Sequence, residues 1–338
     1  MPALRPCLKV ALPLPLPGLF DYWPDSPETA GIDWIGCRVK VPFGNRELVG
    51  WVTALGPAQS PEANVKTVVQ RIDSTYLGTD EWLQTLRWTA QYYHAPLGEV
   101  LHAATPSVLR DGLGLPETCE YQWQLTALGQ SQWRSLRKGS TLRAMAELLV
   151  NGPCMEAWLK THRPGWRAVL RKLESRDLVE RIAGVPQPVK PECAAPALNA
   201  EQQSALAAIT ERQTFAVHLL EGVTGSGKTE VYIHAIEACL AQHKQALVLV
   251  PEIGLTPQLL SRLQSRLPVP IHVLHSNLND TERAHAWAAM ASGRGRVLLG
   301  TRSAVFTPLP EAGLLIVDEE HDGSYKQQDG FHYHARDV

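Results

Sequence analysis

Residues 221–230, EGVTGSGKTE, combine glycines, a lysine and a threonine at a spacing that suits phosphate binding. Gly222, Gly227, Lys228 and Thr229 fit the pattern G-x-x-x-x-G-K-[ST]. The glycines let successive backbone N–H groups turn towards phosphate oxygens, and the lysine neutralises the terminal phosphates. The alternative is a glycine turn with a structural role only. We expect the segment to bind ATP through these residues: Gly222, Thr224, Gly225, Ser226, Gly227, Lys228, Thr229 and Glu230.

A second segment, LLIVDEEH at residues 314–321, places two carboxylates directly after an apolar run. A phosphate-binding loop needs acids at the tip of a neighbouring strand, and this segment supplies them. We expect Asp318 and Thr229 to hold Mg²⁺, with Asp318 acting through water. Glu319 is expected to orient or deprotonate the water that attacks the γ-phosphate. Lys228, Asp318 and Glu319 are therefore the predicted catalytic residues.

Apolar runs alternate with helical stretches from residue 198 onwards. The runs are AVHLLEG, ALVLVP, IHVLH, RVLLGT and LLIVDEE. Continuous apolar strands between helices favour a parallel sheet that is covered on both faces. Residues 198–338 are therefore predicted to form an α/β nucleotide-binding lobe.

The first 110 residues have a different pattern. Short alternating runs, CRVKVPF, ELVGWVTAL and VKTVVQRI, are separated by Gly and Pro and are typical of a small β-rich module. The following TDEWLQTLRWTAQYY has Trp82, Leu86, Ala90 and Tyr93 at helical spacing, with Thr79 or Asp80 as the N-cap. Residues 1–110 are predicted to be this module with its helix.

Residues 111–184 read as three short helices and a terminal hairpin, which suggests a winged-helix domain. Its last helix carries basic residues that would touch DNA phosphates or simply be solvated. They are Arg167, Arg171, Lys172 and Arg176. Residues 185–197 are rich in Pro and Ala and are predicted to be a linker.

The composition limits the classes of protein. The 338 residues fit two or three domains, and a net charge of −2 provides no global field for nucleic acid. The six cysteines are scattered without a C-x-x-C pair, so neither a zinc site nor a disulfide framework is predicted. No apolar span is long enough for a membrane helix, and we expect a cytoplasmic location.

The remaining motifs add a resemblance to a known family. GVTGSGKTEVY, LVPEIGLTPQ, GTRSAVF and DEEHDGSYKQQDGFHYHARD stand in the order of motifs I, Ia, Ib and II of superfamily two helicases. They look like the bacterial replication-restart helicases of the PriA family. LNAEQQSAL, LPLPGLFDY and GCRVKVPFG extend the likeness over most of the chain.

The resemblance implies roles within the α/β lobe. Gln202 is similar to the glutamine that reads the adenine edge, with its neighbour Gln203 as the alternative. Arg302 and Ser303 would present donors to the phosphates of a DNA strand. The tail is similar to an aromatic-rich loop in which Tyr325, Phe331 and Tyr333 stack on bases, Lys326 meets the backbone, and Glu320 and His321 relay the contact.

Two other interpretations of the tail stay open. His321, His332 and His334, together with nearby carboxylates, would bind a transition metal, although their spacing is not that of metal ligands. The aromatic residues would otherwise belong to the core of an incomplete domain.

The resemblance also assigns a site to the N-terminal module. Phe20 and Tyr22 would stack on or flank the terminal base of a 3′ end, and Asp21 would accept from its 3′-hydroxyl. Gly44 would permit close approach and Lys66 would contact phosphate. From the residues alone, Phe20 and Tyr22 are simply an aromatic pair at a barrel edge.

The family therefore implies an ATP-dependent 3′ to 5′ DNA helicase of replication restart, of which this sequence is a fragment lacking the second lobe. Its expected partners are single-stranded and forked DNA with a 3′ end, single-strand-binding protein and other primosome proteins. Zinc is expected in the full-length family, but this chain offers no zinc ligands. The alternatives are a branched-DNA-binding module with an inert ATP site, or another superfamily two translocase.

Overall fold

A computed structural model describes most of the chain, which divides into two compact units. The first comprises Met1–Glu117 with Val189–Val338, and the second comprises Thr118–Pro188. The described residues are 7–25, 31–59, 64–116, 121–150, 152–156, 159, 163–183, 196–211, 214–223, 225–252 and 257–338. Thr224 and most of the predicted linker, residues 185–195, lie outside them.

The N-terminal part of the first unit is a six-stranded sheet. Its strands are β1 (Cys7–Ala11), β2 (Phe20–Trp23), β3 (Arg38–Phe43), β4 (Arg46–Gly56), β5 (Lys66–Thr67) and β6 (Gln70–Arg71). They are ordered β5-β2-β1-β4-β3-β6, and antiparallel pairs dominate. The β3–β4 hairpin turns through Gly44 and Asn45, where Gly44 has a φ of +60° that the tight turn requires. The predicted β-rich module is confirmed.

A buried ion pair fixes β3 to the rest of this module. The Arg38 side chain is fully buried, and its Nε and NH2 donate to Asp73 at 2.9 and 2.6 Å. Its NH1 donates to the carbonyls of Leu109 and Leu113 at 2.6 and 2.8 Å. Because each charged group has several partners, the pair offsets the cost of its desolvation.

Helices follow the sheet. They are α1 (Asp80–Tyr92), α2 (Leu97–Ala104) and α3 (Ser107–Arg110). Thr79 caps α1 by accepting a hydrogen bond from the backbone of Trp82, as predicted. Trp82, Leu86 and Ala90 are buried along one face of α1, so the predicted amphipathic helix is confirmed.

The C-terminal part of the first unit is an α/β layer. Its strands are β10 (Gln245–Leu249), β11 (Ile271–Leu274), β12 (Val297–Gly300) and β13 (Ala312–Val317), in the order β11-β12-β10-β13 with every pairing parallel. The helices are α7 (Ala200–Thr210), α8 (Lys228–Ala241), α9 (Pro257–Arg266) and α10 (Asp280–Ala291). The predicted parallel α/β class is confirmed.

Alternate residues of β10 face opposite layers. Ala246 and Val248 pack into a cluster with residues of α8 and α9. Leu247 and Leu249 pack into another cluster, which holds Trp82 and other side chains of α1 and α2. The helices of the N-terminal module therefore help to cover one face of the parallel sheet.

One predicted strand is wrong. AVHLLEG, residues 216–222, forms no strand, and Phe215, Val217 and Leu219 are each more than 70% exposed. The apolar composition suggested a buried strand, but a strand also needs a neighbour that accepts its hydrogen bonds. Within the described residues this segment has none, and β13 is an edge strand with Leu315 exposed.

The second unit has a core of its own. Strands β7 (Tyr121–Leu125), β8 (Cys154–Met155) and β9 (Val179–Ala183) form an antiparallel sheet in the order β8-β7-β9. Its helices include α4 (Ala127–Gln132), α5 (Thr141–Val150) and α6 (Trp166–Glu174). The second predicted helix of this unit lies partly outside the described residues, and the winged-helix assignment is not confirmed. The exposed basic side chains of α6 include Arg167, Arg171 and Lys172.

Candidate nucleotide and DNA sites

A cavity of about 590 Å³ opens at the start of α8. Most of its wall comes from the glycine-rich segment and the acidic segment, at residues 223, 225–230 and 318–319. The lining side chains include Lys228, Thr229, Asp318 and Glu319, joined by Arg262 and Arg266 of α9. The two predicted motifs therefore share one cavity, as the predicted site requires.

The glycine-rich loop has the backbone that its glycines allow. Gly225 and Gly227 have φ values of +85° and +86°, a left-handed region that side chains strain. Gly227 is the N-cap of α8, so the positive end of the helix faces the cavity. Thr224, another predicted contact, lies outside the described residues.

Lys228 and Glu319 are in contact across this cavity. The Lys228 ammonium donates to the carbonyl of Gly222 at 3.0 Å and lies 3.4 Å from Glu319 Oε1. Glu319 has a φ of +46°, which is uncommon for a residue with a side chain and is typical of functional sites. A bound phosphate would offer Lys228 an anionic partner in place of Glu319.

Asp318 is fixed at three atoms. Its N–H donates to the carbonyl of Leu249 at 2.9 Å. Its own carbonyl accepts from the Tyr325 hydroxyl at 2.6 Å, and its Oδ1 accepts from the Tyr232 hydroxyl at 3.1 Å. Burial, together with the charge of Asp318, raises the pKa of Tyr232, so that hydroxyl is a neutral donor at pH 7.

Two predicted nucleotide contacts have partners in the protein. Gln202 forms a capping box with Asn199 at the start of α7, and its Nε2 donates to the Ser226 carbonyl at 3.0 Å. Glu230 accepts from the buried Arg266 at 2.9 Å. Gln202 thus supports the glycine-rich loop, and Glu230 joins α8 to α9.

The aromatic tail corrects a prediction. Tyr325 and Tyr333 are 0% and 5% exposed and belong to the large core cluster, so neither ring offers a face to a DNA base. Burial raises the pKa of Tyr333 to about 12, although Arg302 opposes the shift. Their burial agrees with the core interpretation that the sequence left open. Phe331 is half-buried and Lys326 is exposed, and both remain candidates for DNA contact.

The predicted phosphate and relay residues lie beside the tail. Arg302 donates from NH1 to the carbonyls of Ser324 and Lys326 at 3.0 and 2.9 Å, which braces the tail. Ser303 is exposed. Glu320 pairs with Arg336 at 2.6 Å, and His321 is exposed with its Nε2 3.9 Å from Glu319.

The 3′-end residues divide between the two faces of the N-terminal sheet. Tyr22 is buried in the core, where its hydroxyl donates to the Pro42 carbonyl at 3.1 Å. The prediction that this ring stacks on a base is therefore wrong. Half-buried Phe20 packs edge-on against Phe43 at 5.6 Å. Lys66 is exposed beside Tyr22, and open space surrounds Gly44.

Asp21 points away from that core. Lys9 donates to its Oδ1 at 2.6 Å and to the Pro57 carbonyl at 2.6 Å, and the Gln59 N–H donates to its Oδ2. Burial alone would raise the pKa of Asp21, but these hydrogen bonds outweigh it and hold the pKa below its ordinary value. Asp21 is therefore an ionised acceptor, with only 6% of its side chain exposed.

Known proteins match both parts of the first unit. Residues 9–106 match the model of the 3'DNA-binding domain (3'BD), and residues 199–338 match that of the DEAD/DEAH box helicases. Replication restart protein PriA of Haemophilus influenzae is 40% identical over 98% of this chain. The proteins of the same name from Synechocystis and Treponema pallidum are 31% and 32% identical over 90% and 99% of the chain.

The chain belongs to the PriA family. It spans 46%, 46% and 41% of the lengths of these three relatives, which is less than half of each. The range matched by the 3'DNA-binding domain covers most of the N-terminal sheet, and the range matched by the DEAD/DEAH box helicases covers most of the lining of the cavity at α8. The resemblance proposed from the sequence motifs is thereby confirmed.

Three contacts with predicted site residues of this PriA-family chain were not predicted from the sequence. Tyr232 contacts Asp318, Lys9 contacts Asp21, and Arg266 joins Glu230. Tyr232 lies one helical turn after Thr229, and that spacing was the available signal. The sequence offers no comparable signal for Lys9 or Arg266, because the residue that each contacts is distant in sequence.

The described residues also bear on metal binding and on membrane insertion. They contain no group of three His, Cys, Asp or Glu residues arranged to hold a metal ion. No helix among them has the length and apolarity needed to cross a membrane.

Proposed function

We propose that this chain carries the ATP-binding lobe and the 3′-end-reading module of an ATP-dependent 3′ to 5′ DNA helicase of replication restart. One observation carries the proposal. Lys228, Thr229, Asp318 and Glu319 line a single cavity at the start of a helix. A phosphate ligand with a divalent cation would use all four side chains at once.

ATP with Mg²⁺ fits the donor set of this cavity. The backbone of the glycine-rich loop and Lys228 would hold the phosphates, while the Thr229 hydroxyl and the Asp318 carboxylate offer the oxygen ligands that Mg²⁺ prefers. The cation supplies neutralisation of the charge that develops on the phosphates. Glu319 would orient the attacking water, because its carboxylate already lies next to Lys228.

Replacement of Lys228 by Ala tests the nucleotide site. We expect the affinity of the chain for a fluorescent ATP analogue with Mg²⁺ to fall by roughly thirtyfold or more, because the side-chain cation that would pair with the terminal phosphates is lost. The fold should persist, since the Lys228 side chain is partly exposed and contributes little to the core. Lys172→Ala, an exposed lysine of the second unit, is the matched control. Equal affinity of Lys228→Ala and the parent chain would refute the ATP site.

We also propose that the N-terminal module reads a DNA 3′ end, with Phe20, Gly44 and Lys66 near the terminal nucleotide and Asp21 as the hydroxyl acceptor. The family model matched by residues 9–106 supports it. So does the hydrogen-bonding capacity of Asp21, since each carboxylate oxygen has a lone pair beyond those used by Lys9 and Gln59. Contacts with single-strand-binding protein and other primosome proteins remain predictions.

Replacement of Asp21 by Ala tests this second site. The parent chain should bind an oligonucleotide with a 3′-hydroxyl more tightly than one with a 3′-phosphate, because the carboxylate accepts from the first and repels the second. Asp21→Ala should reduce that preference roughly tenfold. Asp33→Ala, which removes an exposed ion-paired carboxylate of the same module, should preserve it. An unchanged preference in Asp21→Ala would remove Asp21 from the terminus pocket.

A further inference from the structure

The orientation of the Asp318 carboxylate depends on the hydroxyl of one side chain. The backbone of Asp318 is held by Leu249 and by the Tyr325 hydroxyl, but those contacts leave its side chain free to rotate. Among the described residues, Tyr232 makes the one hydrogen bond that reaches the carboxylate, at 3.1 Å from Oδ1.

The helix that starts at the glycine-rich loop positions this hydroxyl. Tyr232 follows Thr229 by three residues, so both lie on the same face of α8. Its ring is partly buried against the apolar cluster that contains Ile233, Ile236 and Val248. This packing restricts where the ring can place its hydroxyl, which contacts Asp318 directly after the end of β13.

The contact leaves the second carboxylate oxygen available. A carboxylate accepts up to about four hydrogen bonds or metal contacts, and Tyr232 uses one position on Oδ1. Oδ2 has no protein donor among the described residues. A carboxylate fixed at one oxygen presents the other in a defined direction, which is how partners behind a metal ligand raise metal affinity.

We infer that Tyr232 is a positioning residue for magnesium, which aims the Asp318 carboxylate at the cation from the helix that binds the phosphates. The inference rests on the proposed ATP site and assigns a further residue to it. Tyr232 does not touch the nucleotide in this arrangement, and it acts through Asp318.

The test compares nucleotide binding with and without the cation. The dissociation constant of a fluorescent ATP analogue is measured for the full chain in EDTA and in excess Mg²⁺. The ratio of the two is the magnesium gain. Tyr232→Phe removes one oxygen atom and keeps the ring. It should leave the affinity in EDTA unchanged and lower the magnesium gain roughly three- to tenfold.

Tyr93→Phe is the matched control. The Tyr93 hydroxyl also meets a carboxylate, Asp337 Oδ2 at 3.0 Å, but neither residue lines the nucleotide cavity. Its magnesium gain should equal that of the parent. Melting curves without nucleotide establish that both variants are folded. A general packing defect in Tyr232→Phe would weaken binding equally in both conditions and would overturn the inference, as would an unchanged gain.

Asp318→Ala separates this inference from the proposed function. It should lose the magnesium gain, and adding Tyr232→Phe to it should change nothing further. A further loss in the double variant would show that Tyr232 acts elsewhere and would overturn the inference alone. Absence of nucleotide binding by the parent chain, or a full gain in Asp318→Ala, would instead refute the proposed site.

Discussion

Replacing Glu319 by Gln should lower ATP turnover at the proposed nucleotide site by about two orders of magnitude or more while ATP binding is retained. The amide keeps the size of the side chain but accepts a proton far less readily than a carboxylate. Residue 319 has a left-handed backbone with a φ of +46°. Gln and Glu pay the same conformational cost there, so the substitution adds no backbone strain to the fold. Steady-state turnover and fluorescent-nucleotide binding measure the two effects separately.

A carboxylate beyond the other end of β13 provides the control for that experiment. Glu311 precedes β13 at the end opposite Glu319 and is exposed. Glu311→Gln should leave turnover within about twofold of the parent, as surface substitutions usually do. Unaltered turnover in Glu319→Gln would exclude this residue as the group that orients water.

Replacing Asp73 by Ala should lower the free energy of opening of the N-terminal module by about 3–5 kcal/mol. The change leaves the Arg38 guanidinium buried without its counter-charge, and it also removes the acceptor of the Arg38 backbone N–H at 2.8 Å. Hydrogen exchange of the β3 amides measures this opening, and it remains interpretable in a chain with two units.

An exposed ion pair that also involves β3 shows what an ordinary pair contributes. Lys40 of β3 and Glu47 of β4 meet at 2.7 Å, with both side chains more than 40% exposed. Glu47→Ala should cost no more than about 1 kcal/mol in the same measurement. Equal effects of the two substitutions would mean that the Arg38–Asp73 pair owes nothing to its burial.

The elements that the sequence predicted well are those with a strong local signal. The capping residue Thr79 and the apolar stripe of α1 specify a helix without reference to the rest of the chain. The glycine pattern near Lys228 and the acids after β13 are likewise local signals, and in the structure both segments line the cavity at α8, although the strand expected before the glycines does not form among the described residues. These features needed no knowledge of tertiary contacts.

The remaining features depend on partners that are distant in sequence. Tyr325 and Tyr333 lie in a segment with the composition of a base-stacking loop, but both are buried in a core cluster that also contains Trp82 and Phe306. Asp21 reads as an exposed acid, whereas Lys9 lies opposite it on the neighbouring strand. No pattern within a short window reveals which aromatic or charged residue will meet such a neighbour.

The indole N–H of Trp82 donates to the Phe306 carbonyl at 2.7 Å, and that of Trp287 donates to the Ala104 carbonyl at 3.2 Å. These bonds run in opposite directions across the apolar layer shared by α1, α2 and the parallel sheet. If the α/β lobe were expressed without residues 1–110, the apolar face of its sheet that includes Leu247 would therefore be exposed to solvent. We expect that fragment to aggregate.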